Sequence, residues 1–465
     1  MTSGADQGAT ADLSLWWEQV VDDDPTAAVA RPPLDGDTTA DVVVVGAGYT
    51  GLWTAYYLLE ADPSLDVLLV DAHVAGFGAS GRNGGWCSAL FPTGADALAR
   101  RHGPDAAHAL RAAMRDTVVE VGGVSAAEQI DCGFAYGGTV TLARTAPQVD
   151  RLVAQVEEAS RWGDELHLLD PDGVRGHVRA SGVRAGTWTP DCARLQPARL
   201  AHGLARVVEQ RGARIAEGTR ALRISPRAVV TDHGTVRARW VVRATEAWTS
   251  ALPGSHRAVA PVWSLMIATE PLPAPVWREI GLEQGQTFSD ARHLVVYGQR
   301  TADDRLAFGG RGAPYHLRSR IRPGYDRVPR VHAHLRSTLV DLFPQVEGYD
   351  VTHAWGGPLG VPRDWHASVG LDPDTGVGWA GGYVGDGVAT ANLAGRTLAD
   401  LVVGADTPLT RLPWVGHRSP DWEPEPLRWT GVTAARWATA WADRVEARTD
   451  RASRLADALG PLTGH

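Results

Sequence analysis

Residues 41–51 read Asp-Val-Val-Val-Val-Gly-Ala-Gly-Tyr-Thr-Gly, and the acid Asp71 follows twenty residues after Gly51. The valine run predicts a buried strand, the glycines a tight turn, and the residues after them the start of a helix. In this pattern Gly46 permits the turn, Gly48 lets the backbone approach a pyrophosphate, and Gly51 lets the helix pack on the strand. The free N–H groups and the positive dipole end of the helix then hold the phosphates.

A second predicted strand, Val67–Val70, ends directly before Asp71. The carboxylate at that position can accept both hydroxyl groups of an adenosine ribose, and it would repel a 2′-phosphate. A lone glycine pattern is weak in a chain with 52 glycines, because chance matches and purely structural turns occur. Here the strand, the spacing and the acid agree. The segment therefore predicts a dinucleotide-binding unit, but it does not choose between NAD and FAD.

Other glycine-rich segments bear on that choice. They read Gly76-Phe-Gly-Ala-Ser-Gly-Arg-Asn-Gly-Gly-Trp86 and, far downstream, Ala380-Gly-Gly-Tyr-Val-Gly-Asp-Gly-Val-Ala389, which leads into residues 392–401. With the first turn, these segments resemble the D-amino-acid oxidase superfamily of FAD-dependent amine and amino-acid oxidoreductases, and most closely its glycine oxidase and gamma-glutamylputrescine oxidase branches. Residues 195–204 are similar to a helix of that family, and residues 241–248 to its strand and turn beside the cofactor. The resemblance implies FAD as the cofactor.

The resemblance also implies an α/β fold, in which an FAD-binding Rossmann-like domain is interleaved with an antiparallel-sheet substrate domain. A chain of 465 residues is too long for one small core, which agrees with two domains. The expected division assigns residues 36–92, 190–255 and 355–404 to the FAD-binding domain, 93–189 and 256–354 to the substrate domain, 405–465 to a C-terminal strap and helix, and 1–12 to a disordered start.

Hydrophobic periodicity predicts the individual elements. Trp16 and Trp17 are expected to open the ordered protein. Trp437 and Trp441 are four residues apart and share a helix face, and the tail is expected to pack across the core or a partner subunit. Helices are predicted within residues 94–130 and at 146–162 and 196–212, and residues 432–459 are predicted to form a helix or a broken pair of helices. Strands are predicted at 138–142, 214–216, 220–224, 228–231 and 236–243, and alternation at 262–268, 294–297 and 305–308 predicts the antiparallel sheet.

Composition and charge limit the partners. The net charge of −9 argues against nucleic acid and against an anionic membrane surface, and no apolar run approaches the roughly 20 residues of a membrane helix. Three scattered cysteines without C-x-x-C spacing are typical of reduced thiols in a cytoplasmic protein, and the start of the chain lacks a secretory pattern. All 45 basic residues are arginine, so the lysine that some relatives place over the flavin is absent. The oligomeric state stays open.

The Gly381–Gly387 turn precedes a predicted helix, whose N–H groups and dipole can face N1 and C2=O of the isoalloxazine and stabilise its reduced form. Many relatives carry histidine where this chain has Asp386. A carboxylate there would oppose that effect, so it is expected to point away or to bind the chain. Arg82 is a candidate partner for a phosphate or a flavin carbonyl, with a surface or ion-pair role as the alternative. The predicted cofactor contacts are Gly46, Gly48, Tyr49, Thr50, Gly51, Asp71, Ala72, Ser80, Gly81, Arg82, Asn83, Gly84, Gly85, Thr245, Trp248, Gly382, Tyr383, Gly385, Asp386, Gly387 and Val388.

The residues that anchor flavin covalently in some relatives are missing here. Those relatives use a histidine near the position of Asn83, or a cysteine in the segment that here reads Trp355-Gly-Gly-Pro-Leu-Gly360. Cys87 follows the glycine loop and is expected to be a small buried residue. FAD is therefore predicted to bind non-covalently. No metal site is predicted, because His332 and His334 have no third ligand nearby in the sequence.

Glycine oxidase-like relatives bind the substrate carboxylate with an arginine at the position that here aligns with Leu359. Arg363 lies four residues further on, and Arg311 could substitute, with a structural arginine at a strand end as the alternative. The chain therefore favours an amine without a free alpha-carboxylate. It also has 18 tryptophans, and an aromatic cage for an ammonium or alkylamine is expected, with ordinary core packing as the alternative for each ring. The candidates are Trp86, Trp248, Trp263, Trp355 and Tyr297.

The sequence thus predicts FAD-dependent oxidation of an amine, in which hydride leaves the alpha carbon for flavin N5 and the resulting imine hydrolyses. The candidate catalytic residues are Tyr297, Trp355, Arg311 and His353, and His366 is a further candidate proton handler. Oxygen or another electron acceptor reoxidises the flavin. The alternatives are an FAD-dependent amino-acid oxidase or dehydrogenase, a flavin-dependent hydroxylase or cyclising oxidase, and a flavin-binding protein that acts through a partner.

Overall fold

The computed structural model describes residues 12–453. The predicted disorder of residues 1–12, apart from Asp12, lies outside the described residues. The last helix ends at Thr449, where Asp450 adopts a left-handed conformation, so the predicted continuation of the helix beyond 449 is wrong for residues 450–453, and residues 454–459 lie outside the described part. The strands, in chain order, are β1 Thr38–Val45, β2 Val67–Val70, β3 Trp86–Ser88, β4 Thr139–Ala143, β5 His167–Leu169, β6 Ala185–Thr189, β7 Cys192–Arg194, β8 Arg214–Ala216, β9 Ala221–Ser225, β10 Ala228–Thr231, β11 Thr235–Arg243, β12 Ala260–Thr269, β13 Thr287–Asp290, β14 Val296–Arg300, β15 Leu306–Gly310, β16 Val351–Val361, β17 Ser368–Asp372 and β18 Val377–Gly381.

Helices cover the sheets and connect their strands. The α-helices are α1 Leu15–Asp23, α2 Tyr49–Ala61, α3 Ala95–His102, α4 Pro104–Ala127, α5 Ala146–Trp162, α6 Pro171–Arg175, α7 Pro197–Gln210, α8 Ala274–Ile280, α9 Pro329–Leu342, α10 Gly387–Val403 and α11 Leu427–Thr449. Short 3-10 turns span Pro25–Ala28, Ala79–Gly81, Glu246–Ala251, Leu317–Ser319, Pro344–Val346 and Leu409–Arg411.

The first sheet is mostly parallel, with the strand order β17-β18-β11-β1-β2-β8. Strand β10 also pairs with β11, and β9 pairs with β10, both antiparallel. Along β1 the valines alternate between two cores. Val42 and Val44 enter the helix-covered core, while Val43 and Val45 enter a smaller cluster with Leu34, which is the period-2 pattern of a strand buried on both faces. Because Val45 is the register partner of residues 70 and 243, the carboxyl ends of β1, β2 and β11 meet at one edge.

The second sheet has the order β16-β12-β15-β14-β13-β4-β6-β5 and is antiparallel except where β13 pairs with β4. The predicted antiparallel sheet and the α/β fold class are confirmed. β16 pairs with β12 from Ala260 opposite Val361 to Thr269 opposite Val351. The predicted start of the last FAD-domain segment, residue 355, falls inside this strand, and the division into domains stays a prediction.

A cluster that contains Trp16 and Trp17 joins helix α7 to strands of the second sheet. Trp16 Nε1 donates to Asn83 O at 2.8 Å, and its ring packs edge-on against Trp355 with the centroids 5.8 Å apart. A Cβ atom on Gly81 would lie 2.3 Å from Trp17 Nε1. Helix α1 therefore supports the glycine-rich loop 76–86.

The C-terminal helix α11 contacts the rest of the protein through the buried side chain of Glu446. Buried Glu446 accepts a hydrogen bond from Arg151 Nη2 at 2.9 Å, and its other oxygen lies 3.0 Å from His293 Nε2. Trp437 and Trp441 remain 67% and 57% exposed, so the tail meets the core without them. Among the described residues, the helices are too short or too polar to cross a lipid bilayer.

Candidate active site

The predicted cofactor residues fall into segments that follow the strands of the first sheet: 46–51 after β1, 71–72 after β2, 245–248 after β11 and 382–388 after β18. The loop 80–85 lies between β2 and β3. The parallel register brings the ends of β1, β2 and β11 side by side. A ligand that crosses this edge therefore meets all these segments, as in other doubly wound sheets.

The first turn has the backbone geometry that its glycines require. Gly46 has φ +109°, and a Cβ atom there would lie 2.5 Å from Ala244 O. A Cβ atom on Gly51 would lie 1.9 Å from Gly46 O, so only glycine lets α2 pack here. Gly48 precedes the helix in an extended conformation, and its Cβ would meet Ser80 Oγ at 3.0 Å. Gly46 and Gly51 thus shape the turn, and Gly48 leaves space in front of the helix.

Asp71 ends the second strand and reaches back to the first turn. Its carboxylate accepts the backbone N–H of Ala47 at 2.8 Å and that of His73 at 2.9 Å. Burial raises the pKa of Asp71 to about 6, although these two hydrogen bonds lower it. Ala72 follows at partial exposure. The acid that is predicted to hold the ribose therefore also fixes the phosphate turn.

The glycine-rich loop 76–86 is held by hydrogen bonds to α2 and by hydrogen bonds within the loop. Ser80 Oγ accepts from Tyr49 N, in the first turn of α2, at 2.9 Å. Asn83 Nδ2 donates to the carbonyls of Ala79 and Ser80, and Asn83 Oδ1 accepts from Gly85 N at 2.8 Å. The polar side chains of this loop thus position its backbone against α2.

Arg82 makes the buried ion pair that the sequence left as an alternative. Its Nε donates to Phe77 O at 2.9 Å, its guanidinium lies 4.4 Å from the centre of the Phe77 ring, and Nη1 is 3.6 Å from Asp326 Oδ2. Burial lowers the pKa of Arg82 to about 10, and Asp326 opposes that shift. The guanidinium is only 8% exposed. A direct contact between Arg82 and a phosphate or flavin carbonyl stays a prediction.

The turn before α10 has several residues in left-handed conformations, among them Gly382 at φ +78° and Gly385 at φ +116°. Tyr383 OH lies 2.8 Å from Thr50 Oγ1, which ties this turn to α2. Asp386 is the N-cap residue of α10, but its side chain makes no capping hydrogen bond. Burial raises the pKa of Asp386 to about 6, while the charge of Arg311 lowers it.

Glu246 is a site residue that the sequence reasoning missed. It lies between Thr245 and Trp248, which were both predicted, and its carboxyl group accepts the N–H of Tyr383 at 3.3 Å. Trp248 itself packs near the loop, since a Cβ atom on Gly78 would lie 3.1 Å from its ring. A charged residue three positions after the predicted strand 236–243 was the available signal.

Tyr297 and Trp86 contact each other beside the glycine loop, and their role in a cage stays a prediction. Their rings pack edge to face with the centroids 5.9 Å apart, and a Cβ atom on Gly84 would lie 2.6 Å from Tyr297. Tyr297 OH lies 2.8 Å from Ser264 Oγ, and burial raises its pKa. Trp86 Nε1 is buried and has no hydrogen-bond partner in the described part of the chain. Tyr297 and Trp86 therefore form an apolar surface with one unpaired N–H donor, Trp86 Nε1.

The other predicted catalytic residues have structural partners. Trp355 is fully buried, and its Nε1 donates to Arg82 O at 3.0 Å. His353 Nε2 lies 2.9 Å from Glu18 Oε2 on helix α1. Burial lowers the pKa of His366 to about 4 and keeps the ring neutral. Catalytic roles for these three residues stay predictions. Trp263, also named for the cage, belongs to the core of the second sheet.

Arg311 and Leu359 approach the same point of the turn before α10. A Cβ atom on Gly385 would lie 3.4 Å from Arg311 Nη2 and 3.7 Å from Leu359 Cδ1. Arg311 Nη2 also donates to Val384 O at 3.1 Å. Arg363, in contrast, pairs with Glu423 of the C-terminal strap at 3.0 Å. Of these two arginines, Arg311 is therefore the one that lies beside Leu359, and its role in substrate binding stays a prediction.

The residues present fit FAD. Helices α2 and α10 both start without a side-chain cap from their N-cap residues, Gly48 and Asp386. Ser80 Oγ accepts the N–H of Tyr49, and the N–H groups that follow in the first turns are available to a phosphate or a flavin carbonyl. Asp71 stands where a ribose is expected, and Trp86 Nε1 is an unpaired donor. Cys87 is fully buried, and burial raises the pKa of its thiol, which disfavours a reactive thiolate.

Known proteins resemble this chain in sequence and in fold. The family model described as FAD dependent oxidoreductase matches residues 41–401. The chain is 31% identical to gamma-glutamylputrescine oxidoreductase of Escherichia coli, over 80% of this chain and 85% of that protein. It is 31% identical to the probable oxidoreductase OrdL of Rhizobium meliloti, over 85% of this chain and 90% of that protein. A crystal structure of glycine oxidase from Geobacillus kaustophilus has the same fold, with a TM-score of 0.66 and 22% identity over 82% of this chain and 99% of that one.

Proposed function

Because this chain belongs to the family of FAD-dependent oxidoreductases, we propose that it oxidises an amine that has no free alpha-carboxylate. The use of FAD and the oxidation of a small amine or amino acid follow from the family and from its relatives. The relative from Escherichia coli is named for gamma-glutamylputrescine, an amine. The finer choice between an amine and an amino acid rests on the residues around the turn before α10.

The observation that carries the choice is the position of Arg311 beside Asp386. Arg311 is the arginine available to bind a substrate carboxylate, but its Nη2 already donates to Val384 O and its charge lowers the pKa of Asp386. A substrate carboxylate would have to compete with this internal acid, and it would meet the apolar side chain of Leu359. Burial of a carboxylate without a free partner is unfavourable. These contacts favour a substrate that presents only its amine.

Bound FAD supplies the acceptor for the hydride that leaves the alpha carbon of the amine. The side chains of this protein would orient the substrate and keep water out. Tyr297 and Trp86 would pack against the alkyl chain of the amine, and Tyr297 is fixed by Ser264. Only the neutral amine can lose hydride. A pocket of aromatic rings, in which burial disfavours charge, supports that neutral form.

The test is anaerobic mixing of the FAD-loaded protein with matched pairs, each an alkylamine beside the amino acid with the same side chain. Flavin bleaching in a stopped-flow instrument should be faster with the amine. In Asp386→Asn the ratio should shift towards the amino acid by roughly tenfold, because loss of an interaction of about 1.4 kcal/mol frees Arg311. Faster bleaching of the wild type by the amino acid would refute the proposal and support the alternative, an amino-acid oxidase or dehydrogenase.

Two further properties belong to the proposal. We expect FAD to be bound non-covalently, since Cys87 lies buried in the core of the first sheet. We also place the protein in the cytoplasm, because the cysteines of the described chain are free and buried. Oxygen or another electron acceptor would complete the cycle.

A further inference from the structure

Glu246 occupies a backbone position that favours glycine. It lies three residues after the end of β11 and has φ +41°, in the left-handed region that residues with a Cβ atom adopt only at an energetic cost. A glutamate persists in such a conformation when its side chain makes interactions that offset the cost. The contacts of its carboxyl group therefore indicate its purpose.

The carboxyl group of Glu246 lies between two glycine-rich segments. It accepts the N–H of Tyr383 at 3.3 Å and that of Gly382 at 3.5 Å, both in the turn before α10. On the other side, a Cβ atom on Gly360 of β16 would lie 2.2 Å from Glu246 Oε2, so only glycine leaves room for it. One side chain thus links the end of β11, a strand of the second sheet and the turn that is predicted to face the flavin.

The charge of this carboxyl group is balanced by backbone groups. Within residues 12–453 no basic side chain forms an ion pair with Glu246. Burial raises its pKa to about 7, while the N–H groups of Tyr383, Gly382 and Gly360 lower it. The titratable side chain that faces it from the turn is Tyr383, whose hydroxyl group contacts Thr50. The nearby cation Arg311 acts on Asp386 instead.

We propose that Glu246 is a positioning residue of the FAD site, which holds residues 382–383 against β16 and takes up a proton when the cofactor binds. The inference rests on the proposed FAD site. Bound FAD would bring two phosphate charges and a flavin carbonyl to the carboxyl ends of the strands of the first sheet. The partial positive charges there come mainly from the N–H groups at the starts of α2 and α10. An ionised carboxylate near this edge, on the N–H groups of Gly382 and Tyr383, opposes that charge, whereas a protonated one does not. Protonation of Glu246 from solvent therefore accompanies tight binding.

The experiment measures the FAD dissociation constant of the apoprotein by flavin fluorescence between about pH 6.5 and pH 9. It compares the wild type with Glu246→Gln, which keeps the shape without the charge, and with Glu246→Gly, which relaxes the backbone and removes the side chain. The matched control is Glu423→Gln, which alters a carboxylate of the outer strap that pairs with Arg363. Thermal unfolding of each apoprotein verifies that it is folded.

In the wild type, the dissociation constant should rise by up to about tenfold per pH unit above pH 7, as expected for uptake of one proton. Glu246→Gln should lose this slope and bind as the wild type does at low pH. Glu246→Gly should also lose the slope and bind FAD roughly tenfold more weakly than Glu246→Gln, and Glu423→Gln should behave as the wild type. If the FAD dissociation constant of Glu246→Gln keeps the pH dependence of the wild type, the inference is overturned. If Glu246→Gly fails to fold, the pH dependence of Glu246→Gln is sufficient for the test. A wild type without FAD affinity would instead refute the cofactor site itself.

Discussion

Replacement of Gly48 by valine should remove tight FAD binding and leave the apoprotein folded. Gly48 has φ −83° and ψ −173°, an extended conformation that valine adopts readily. Its Cβ atom would meet Ser80 Oγ at 3.0 Å, a hydroxyl group that can rotate away. The free energy of unfolding should therefore change by no more than about 1 kcal/mol, as for most substitutions without a buried clash.

The loss of affinity should be far larger, because the new side chain stands in front of the first turn of α2. Hydrogen bonds to a charged group contribute about 1.5–3 kcal/mol each. If the pyrophosphate loses two of them, binding weakens by about 3–6 kcal/mol, which is roughly a hundredfold to ten-thousandfold in the dissociation constant.

The assay is a fluorescence titration of the apoprotein with FAD, together with thermal unfolding. Gly51→Ala is the matched control, because its Cβ atom would lie 1.9 Å from Gly46 O. That variant should lose stability as well as affinity. Wild-type affinity in Gly48→Val would show that the pyrophosphate does not pass this turn.

Further outcomes follow from other contacts. Acid precipitation should release all FAD into the supernatant, and flavin that stays with the protein would implicate Cys87. Burial raises the pKa of Asp71 from 3.8 to about 6, so its contribution to stability is present below about pH 4 and is lost as the pH rises through 6. Asp71→Asn should therefore remove this pH dependence of the apoprotein's melting temperature between about pH 4 and pH 6. It should also weaken FAD binding, because an amide offers one acceptor oxygen for the two N–H groups that the carboxylate accepts. Arg363→Ala should leave the preference between amines and amino acids unchanged in stopped-flow assays, since its side chain points to the outer strap. Glu446→Gln breaks the ion pair with Arg151 and should lower the free energy of unfolding, measured in urea, by about 2–3 kcal/mol. The loss should be smaller than for a fully buried ion pair, because Arg151 is partly exposed to solvent.

The sequence predicted the elements whose signals are local. The strand 41–45, the helix 146–162 and the antiparallel strand 262–268 follow from short hydrophobic periods, and each lies within or matches an observed element. The glycine turn was equally readable, because the clash of Gly51 with Gly46 involves residues only five apart. Such signals need no knowledge of the tertiary structure.

The features that the sequence did not predict depend on distant partners. Glu246 hydrogen-bonds to residues 382 and 383, and Arg82 pairs with Asp326. No local pattern reveals either contact. Spacing placed Trp437 and Trp441 on one helix face correctly, but the buried side of α11 is set by Glu446 and its far partners. Local periodicity therefore predicts which residues share a face, and only the tertiary contacts determine which face is buried.

The most direct test of amine oxidation is an anaerobic single turnover, in which the yellow protein is mixed with an excess of an amine. Flavin absorbance near 450 nm, about where oxidised flavins absorb, is followed while the quenched mixture is analysed for aldehyde and released amine or ammonia. An FAD-dependent amine oxidoreductase should yield one aldehyde for each flavin bleached. Flavin bleaching without aldehyde would contradict the oxidation of a C–N bond by this protein. The same conclusion would follow if none of the matched alkylamines and amino acids bleached the flavin.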